Sequence, residues 1–323
     1  MGRKMGERQR WAWLGGGLSA AIGVCGCGLG WLWMLLGGAV VSLYYIYMDA
    51  NLSGAGLTKL LPKPVTILSL IWIVAALAWS ANLADSAFPM IEGFPVLGWT
   101  MLVLAAWGSW KGASACAGCA GVLCLFLIIL YGTVTVFGLP DVELQYLKPY
   151  GPWQNGVWSA GLFLLPAAVW YLPCRRSQKK PAWFVGVVLL LAAVVLTAVT
   201  AGVLSPYLAA SIPSPLYTLA QSVSLFGVVE RIEPLLSAAM TMGVFCLLSA
   251  MACACRELSG KNWGGIAACG IAGILMGVVG QLGIFAISVG SIAVFLAVPL
   301  AVVSTRKNYR KKAKKPVDKG TQS

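Results

Sequence analysis

The chain has 323 residues, of which 59% are hydrophobic and only 10% charged. A soluble domain carries roughly 25% charged residues, so this composition excludes an ordinary soluble fold and places the chain in lipid. The net charge of +13 does not indicate nucleic acid: eight of the 23 Lys and Arg lie between Arg306 and Lys319, and most others sit in short loops, as around membrane helices.

A membrane helix needs about 20 mostly apolar residues, each rising ~1.5 Å through a core ~30 Å thick. By that measure residues 1–10 form a basic cytoplasmic head, 11–303 a transmembrane domain and 304–323 a basic cytoplasmic tail. Ten spans are expected, over 11–25, 29–48, 65–84, 94–110, 113–137, 157–172, 182–204, 232–254, 264–282 and 285–303. The expected fold is an all-α integral membrane bundle.

The first span reads as an uncleaved helix rather than a signal peptide, since Val24-Cys25-Gly26-Cys27 is a poor cleavage site. Gly15, Gly16 and Gly17 either interrupt it or let a neighbour pack closely. The third span ends at Asp85, with Asn82 one turn earlier; Asp85 is either an ordinary helix-end acid or part of a ligand vestibule. Cys116 and Cys119 have metal-like spacing, but there is no second pair and no histidine. No metal or cofactor site is therefore expected, and the cysteines read as small packing residues.

The sixth span contains Gly161, Leu162, Phe163, Leu164, Leu165 and then Pro166, a segment expected to break the helix. Trp107, Trp110, Trp158, Tyr171 and Trp183 read mainly as interfacial anchors. Glu230, Arg231 and Glu233 stand just before Pro234. Charge inside a bilayer is costly, so these residues face a partner or a cavity, or else cluster at the membrane surface. Pro234 lacks an N–H and frees the Glu230 carbonyl. Nothing resembles a nucleophile–base pair or a phosphate loop, so no enzyme activity is expected.

With the head in the cytoplasm, 21 of 23 basic residues fall inside, Lys148 alone falls outside, and Arg231 lies within or beside a span. That asymmetry supports ten spans with both termini cytoplasmic. Ten spans divide into five plus five, and an odd repeat inverts the second half. Interrupted helices one and six would then flank a midplane site.

The order of three features carries a family resemblance: Gly161 to Pro166 followed by the basic loop 175–180; the stretch from Leu204-Ser205-Pro206 through Pro213 and Pro215 to Glu230-Arg231-Ile232-Glu233; and Leu147-Lys148-Pro149. By them the chain resembles the spore-germination receptor B-subunit family of the amino acid–polyamine–cation transporter superfamily. The resemblance implies a five-plus-five inverted fold in the cell or spore inner membrane. It also implies a site for a small germinant, typically an amino acid, lined by Gly161 to Leu165, with Glu230, Arg231 and Glu233 as a polar cluster. The partners it implies are A- and C-type receptor subunits. Set against this sensing subunit are a secondary permease of the same fold and a purely structural assembly subunit. The first span lacks the family's usual lead-in, so the part that Gly15, Gly16 and Gly17 play in a site does not follow from it.

Overall fold

Backbone out of water must satisfy its own N–H and C=O groups, so long apolar runs fold as helices. In a computed structural model, which describes residues 5–25, 30–52, 56–86, 96–148, 151–175, 183–212, 215–222 and 233–305, every expected span carries one. In chain order these are α1 (Glu7–Cys25), α2 (Trp31–Asn51), α3 (Lys63–Ser86), α4 (Val96–Lys111), α5 (Ala113–Gly138), α6 (Gln154–Leu164) and α7 (Trp183–Leu204). Two short helices follow, α8 (Pro206–Ser211) and α9 (Pro215–Ser222), then α10 (Glu233–Ser259), α11 (Gly264–Val279) and α12 (Ile284–Ser291). A 3₁₀ run, Leu165–Tyr171, extends α6, and a π segment, Ile292–Ala297, extends α12.

Among the described residues, five helical stretches are long and apolar enough to cross a membrane: Trp31–Asn51, Lys63–Asp85, Ala113–Asp141, Pro234–Ser259 and Ile284–Thr305. Among the described residues the only strand pairing is a two-residue parallel match of Met5–Gly6 with Cys174–Arg175, which ties the head to the end of the sixth segment.

Helix α10 is the centre. It packs against α1, α3, α4, α5 and α11, and 78% of its most apolar stretch is buried against 22% of that of the peripheral α5. Its sequence explains the position. Ser237, Ala239, Cys246, Ser249, Ala250, Ala252, Cys253, Ala254 and Cys255 are all buried, and small side chains let helices approach where no hydrophobic force acts between them. Trp13 fastens α1 to this helix by donating its indole N–H to the Cys246 carbonyl (2.8 Å).

The expected break in the first helix is not there: α1 is continuous from Glu7 to Cys25. The glycines serve contact instead. A Cβ on Gly16 would stand 2.8 Å from Cys246 Sγ, and one on Gly17 would stand 3.0 Å from Pro166 Cβ. The helix stays regular because close packing, rather than a freed backbone, accounts for Gly16 and Gly17.

Candidate functional site

The sixth segment departs from α-helix where its sequence requires. Leu165 N–H bonds back to the Leu162 carbonyl, opening the 3₁₀ run at Leu165–Pro166. In 3₁₀ geometry the N–H that would answer the Phe163 carbonyl is that of residue 166, a proline without one. The Tyr45 hydroxyl of α2 donates to that carbonyl at 2.5 Å. Leaving such a buried group unpaired costs about 1–3 kcal/mol. Gly161 sits where α6 meets α12, its absent side chain making room for the Ser288 backbone, and Ser288 Oγ donates to the Trp158 carbonyl (2.9 Å).

The tenth expected span, α12 with the π segment Ile292–Ala297 that continues it, is irregular as well. Its π segment has two carbonyls taken by tyrosines: Tyr44 Oη donates to Phe295 (2.5 Å) and Tyr171 Oη to Val294 (3.0 Å). π segments recur at functional positions of helices because they leave the regular bonding ladder. Three tyrosines from α2 and the sixth segment thus fasten both irregular stretches. One outcome follows. Tyr45→Phe should lower stability by about 1–3 kcal/mol, and the loss should shrink by ~1 kcal/mol in a Pro166→Ala background, where residue 166 regains an N–H for Phe163. Thermal unfolding of the two single variants and the double variant in detergent checks this.

Below the break lies a charged aromatic cluster. Arg10, only 3% exposed, places its guanidinium 4.6 Å from the Trp170 ring centroid and 3.9 Å from Asp49. Trp11, Tyr45 and Trp170 pack on one another with centroids 6.2 to 6.5 Å apart. Burial pushes the Arg10 pKa down, and the carboxylates of Asp49 and Glu7 oppose that shift. The flat guanidinium suits this place because it stacks on an indole and is less strongly hydrated than an ammonium. Among the described residues no acceptor reaches Arg10 Nε or the indole N–H groups of Trp11 and Trp170. All three groups are donors only, so what the cluster can take is an acceptor such as a carboxylate.

The sequence-expected site residues divide. Gly161, Leu162, Phe163 and Leu164 lie in the last turns of regular α6 and Leu165 opens the 3₁₀ run that continues it, so the expected break is a change of helix type; the four apolar side chains are packed in the core. Gly15, Gly16 and Gly17 are buried within regular α1. Asp85 is tied to a helix end: Oδ1 accepts from the Leu97 and Gly98 N–H groups (3.1 and 3.2 Å) at the start of α4, where a carboxylate offsets the helix dipole. Glu230 and Arg231 lie outside the described residues, and Glu233 is the first residue of α10. Tyr171, expected as an interfacial anchor, is fully buried, because its hydroxyl finds the Val294 carbonyl inside the bundle.

Cys116 and Cys119 part company. Cys116 is buried with its sulfur 3.9 Å from that of Cys253, whereas Cys119 is exposed. Among the described residues no three His, Cys, Asp or Glu side chains are grouped as metal ligands would be. The residues that sequence reasoning missed are Tyr44, Tyr45, Arg10 and Trp170. The available signal was Tyr44-Tyr45, two phenols inside an apolar run, each of which needs an acceptor when buried. No family model matches the chain, and no curated protein matches it.

Proposed function

We propose that the chain is a membrane-embedded ligand-sensing subunit that takes a small carboxylate-bearing molecule, such as an amino acid, and passes the event to partner subunits. One observation carries this reading. Buried donors of Arg10, Trp11 and Trp170 adjoin Tyr45, which fastens the broken sixth helix. An acceptor bound there would bear directly on the broken helix, and a ligand moves an equilibrium only through such differential contacts. The motif order described above makes a spore germinant receptor, with A- and C-type partners in the spore inner membrane, the system we assign it to.

On this reading the bundle has ten spans in a five-plus-five inverted arrangement with both ends cytoplasmic. Neighbour relations support it. Exchanging α1 to α5 in order with α6, α7, α10, α11 and α12 turns the pair α1–α5 into α6–α12, α2–α6 into α1–α7, α3–α11 into α4–α10 and α3–α4 into α10–α11. All eight of these pairs are packed together. The exchange is incomplete, since α1 packs extensively on α10 whereas α3 has no comparable contact with α6.

A permease is the second reading. Transporters of this kind use discontinuous helices in both repeats, so the continuous α1 favours a sensor. Counterflow of labelled amino acids into proteoliposomes separates the two. A sensor gives saturable binding without counterflow; counterflow would replace the sensor with the permease, and neither signal would leave an assembly role.

A further inference from the structure

We propose that the groove between α4, α5 and α10 holds one anionic phospholipid, its acyl chain among apolar side chains and its phosphate at Lys111. The groove encloses about 550 Å³, within the range of roughly 300–1,000 Å³ typical of small-molecule sites. Met101, Leu104, Leu123, Met242 and Phe245 line it. Its hydroxyl, on Thr241, is turned back to the Ser237 and Ala238 carbonyls of its own helix (both 2.9 Å). The interior therefore offers a hydrocarbon tail no polar partner.

One end is different. Lys111, in the last turn of α4, holds its ammonium 5.7 Å from the Trp107 ring centroid, and Trp107 and Trp110 are 63% and 66% exposed. A basic residue among exposed tryptophans is what the headgroup level of a bilayer selects.

The lysine is also not consumed by the helix it terminates. A cation in the last turn ordinarily answers the free carbonyls there. Here Arg256 of α10 does so, donating to the Ser109 and Trp110 carbonyls at 2.5 and 3.0 Å and to Asn262 Oδ1 at 2.9 Å. Among the described residues no carboxylate pairs with Lys111. An apolar groove ending in an uncompensated cation complements an amphiphile with one anionic head. The inference requires only that these helices meet lipid, and so stands apart from the ligand proposed for the core.

The test is native mass spectrometry of the chain released from vesicles of equal phosphatidylglycerol and phosphatidylcholine. The wild type should retain one tightly bound lipid, enriched about fivefold in phosphatidylglycerol, the preference expected of one lysine at an anionic surface. Lys111→Gln should abolish the enrichment, Lys111→Arg should keep it, and Ala115→Trp, which fills the groove, should remove the bound lipid. Equal retention of both lipids by the wild type, or unchanged enrichment in Lys111→Gln, would overturn the proposal. So would a dimer mass without lipid that Ala115→Trp disperses, since it would put a second copy in the groove.

Discussion

Gly161→Ala is expected to destabilise the bundle by at least about 1–3 kcal/mol, the usual cost of overpacking a well-filled core. The new methyl would collide with Cα and Cβ of Ser288. Because one of these is backbone, the clash cannot be relieved by rotating a side chain. Relief requires α6 and α12 to separate, and both irregular segments continue from those helices. Unfolding can be followed with a thiol-reactive dye, since Cys246 and Cys253 are buried in the folded chain. The same substitution should also weaken ligand response, whereas Gly121→Ala, at a glycine with open space around it, should change neither.

The second large effect is expected at Arg10. Arg10 is buried over the Trp170 ring and 3.9 Å from Asp49, and breaking a fully buried ion pair costs about 3–5 kcal/mol. Asp49 retains 20% exposure, so Arg10→Met should fall toward the lower part of that range. Arg10→Met with Asp49→Asn should recover part of the loss, because the charge that faced Arg10 is then neutral as well. Arg10→Lys separates charge from shape. A lysine keeps the positive charge and loses the planar stacking on Trp170, so unfolding should shift less than in Arg10→Met while amino-acid binding is weakened. Equal stability of wild type and Arg10→Met would remove the cluster from the account.

Element positions were legible because length and apolarity are local properties. All ten hydrophobic segments carry helices, and the change from α to 3₁₀ at Leu165–Pro166 follows from a missing N–H. The fate of Gly15, Gly16 and Gly17 was not legible. A glycine run in a membrane helix permits either a break or close approach, and Cys246 and Pro166, which decide between them, stand far along the chain. Asp85 shows the same limit, since its partners at Leu97 and Gly98 become visible only once α4 is placed. Arg10 read as one more topogenic charge, because stacking on Trp170 joins residues 160 positions apart. The π segment over Ile292–Ala297 has an apolar composition that marks no irregularity. It is betrayed only by the tyrosines that serve its carbonyls.

These relations make the sixth segment the hub of the molecule. Tyr45 holds its break, Gly17 packs on its proline, Trp170 carries the buried cation, and Tyr171 reaches the tenth segment. A ligand that engages Arg10 would therefore be felt in α1, α2 and the tenth segment together, through packed elements rather than a flexible loop.

The most direct test is equilibrium binding of a labelled L-amino-acid mixture to the purified chain, with hydrogen–deuterium exchange over residues 162–171 measured on the same sample. The account predicts saturable binding and slower exchange across that stretch, both diminished in Arg10→Lys. A folded wild-type chain that binds no amino acid and shows unchanged exchange there would contradict it.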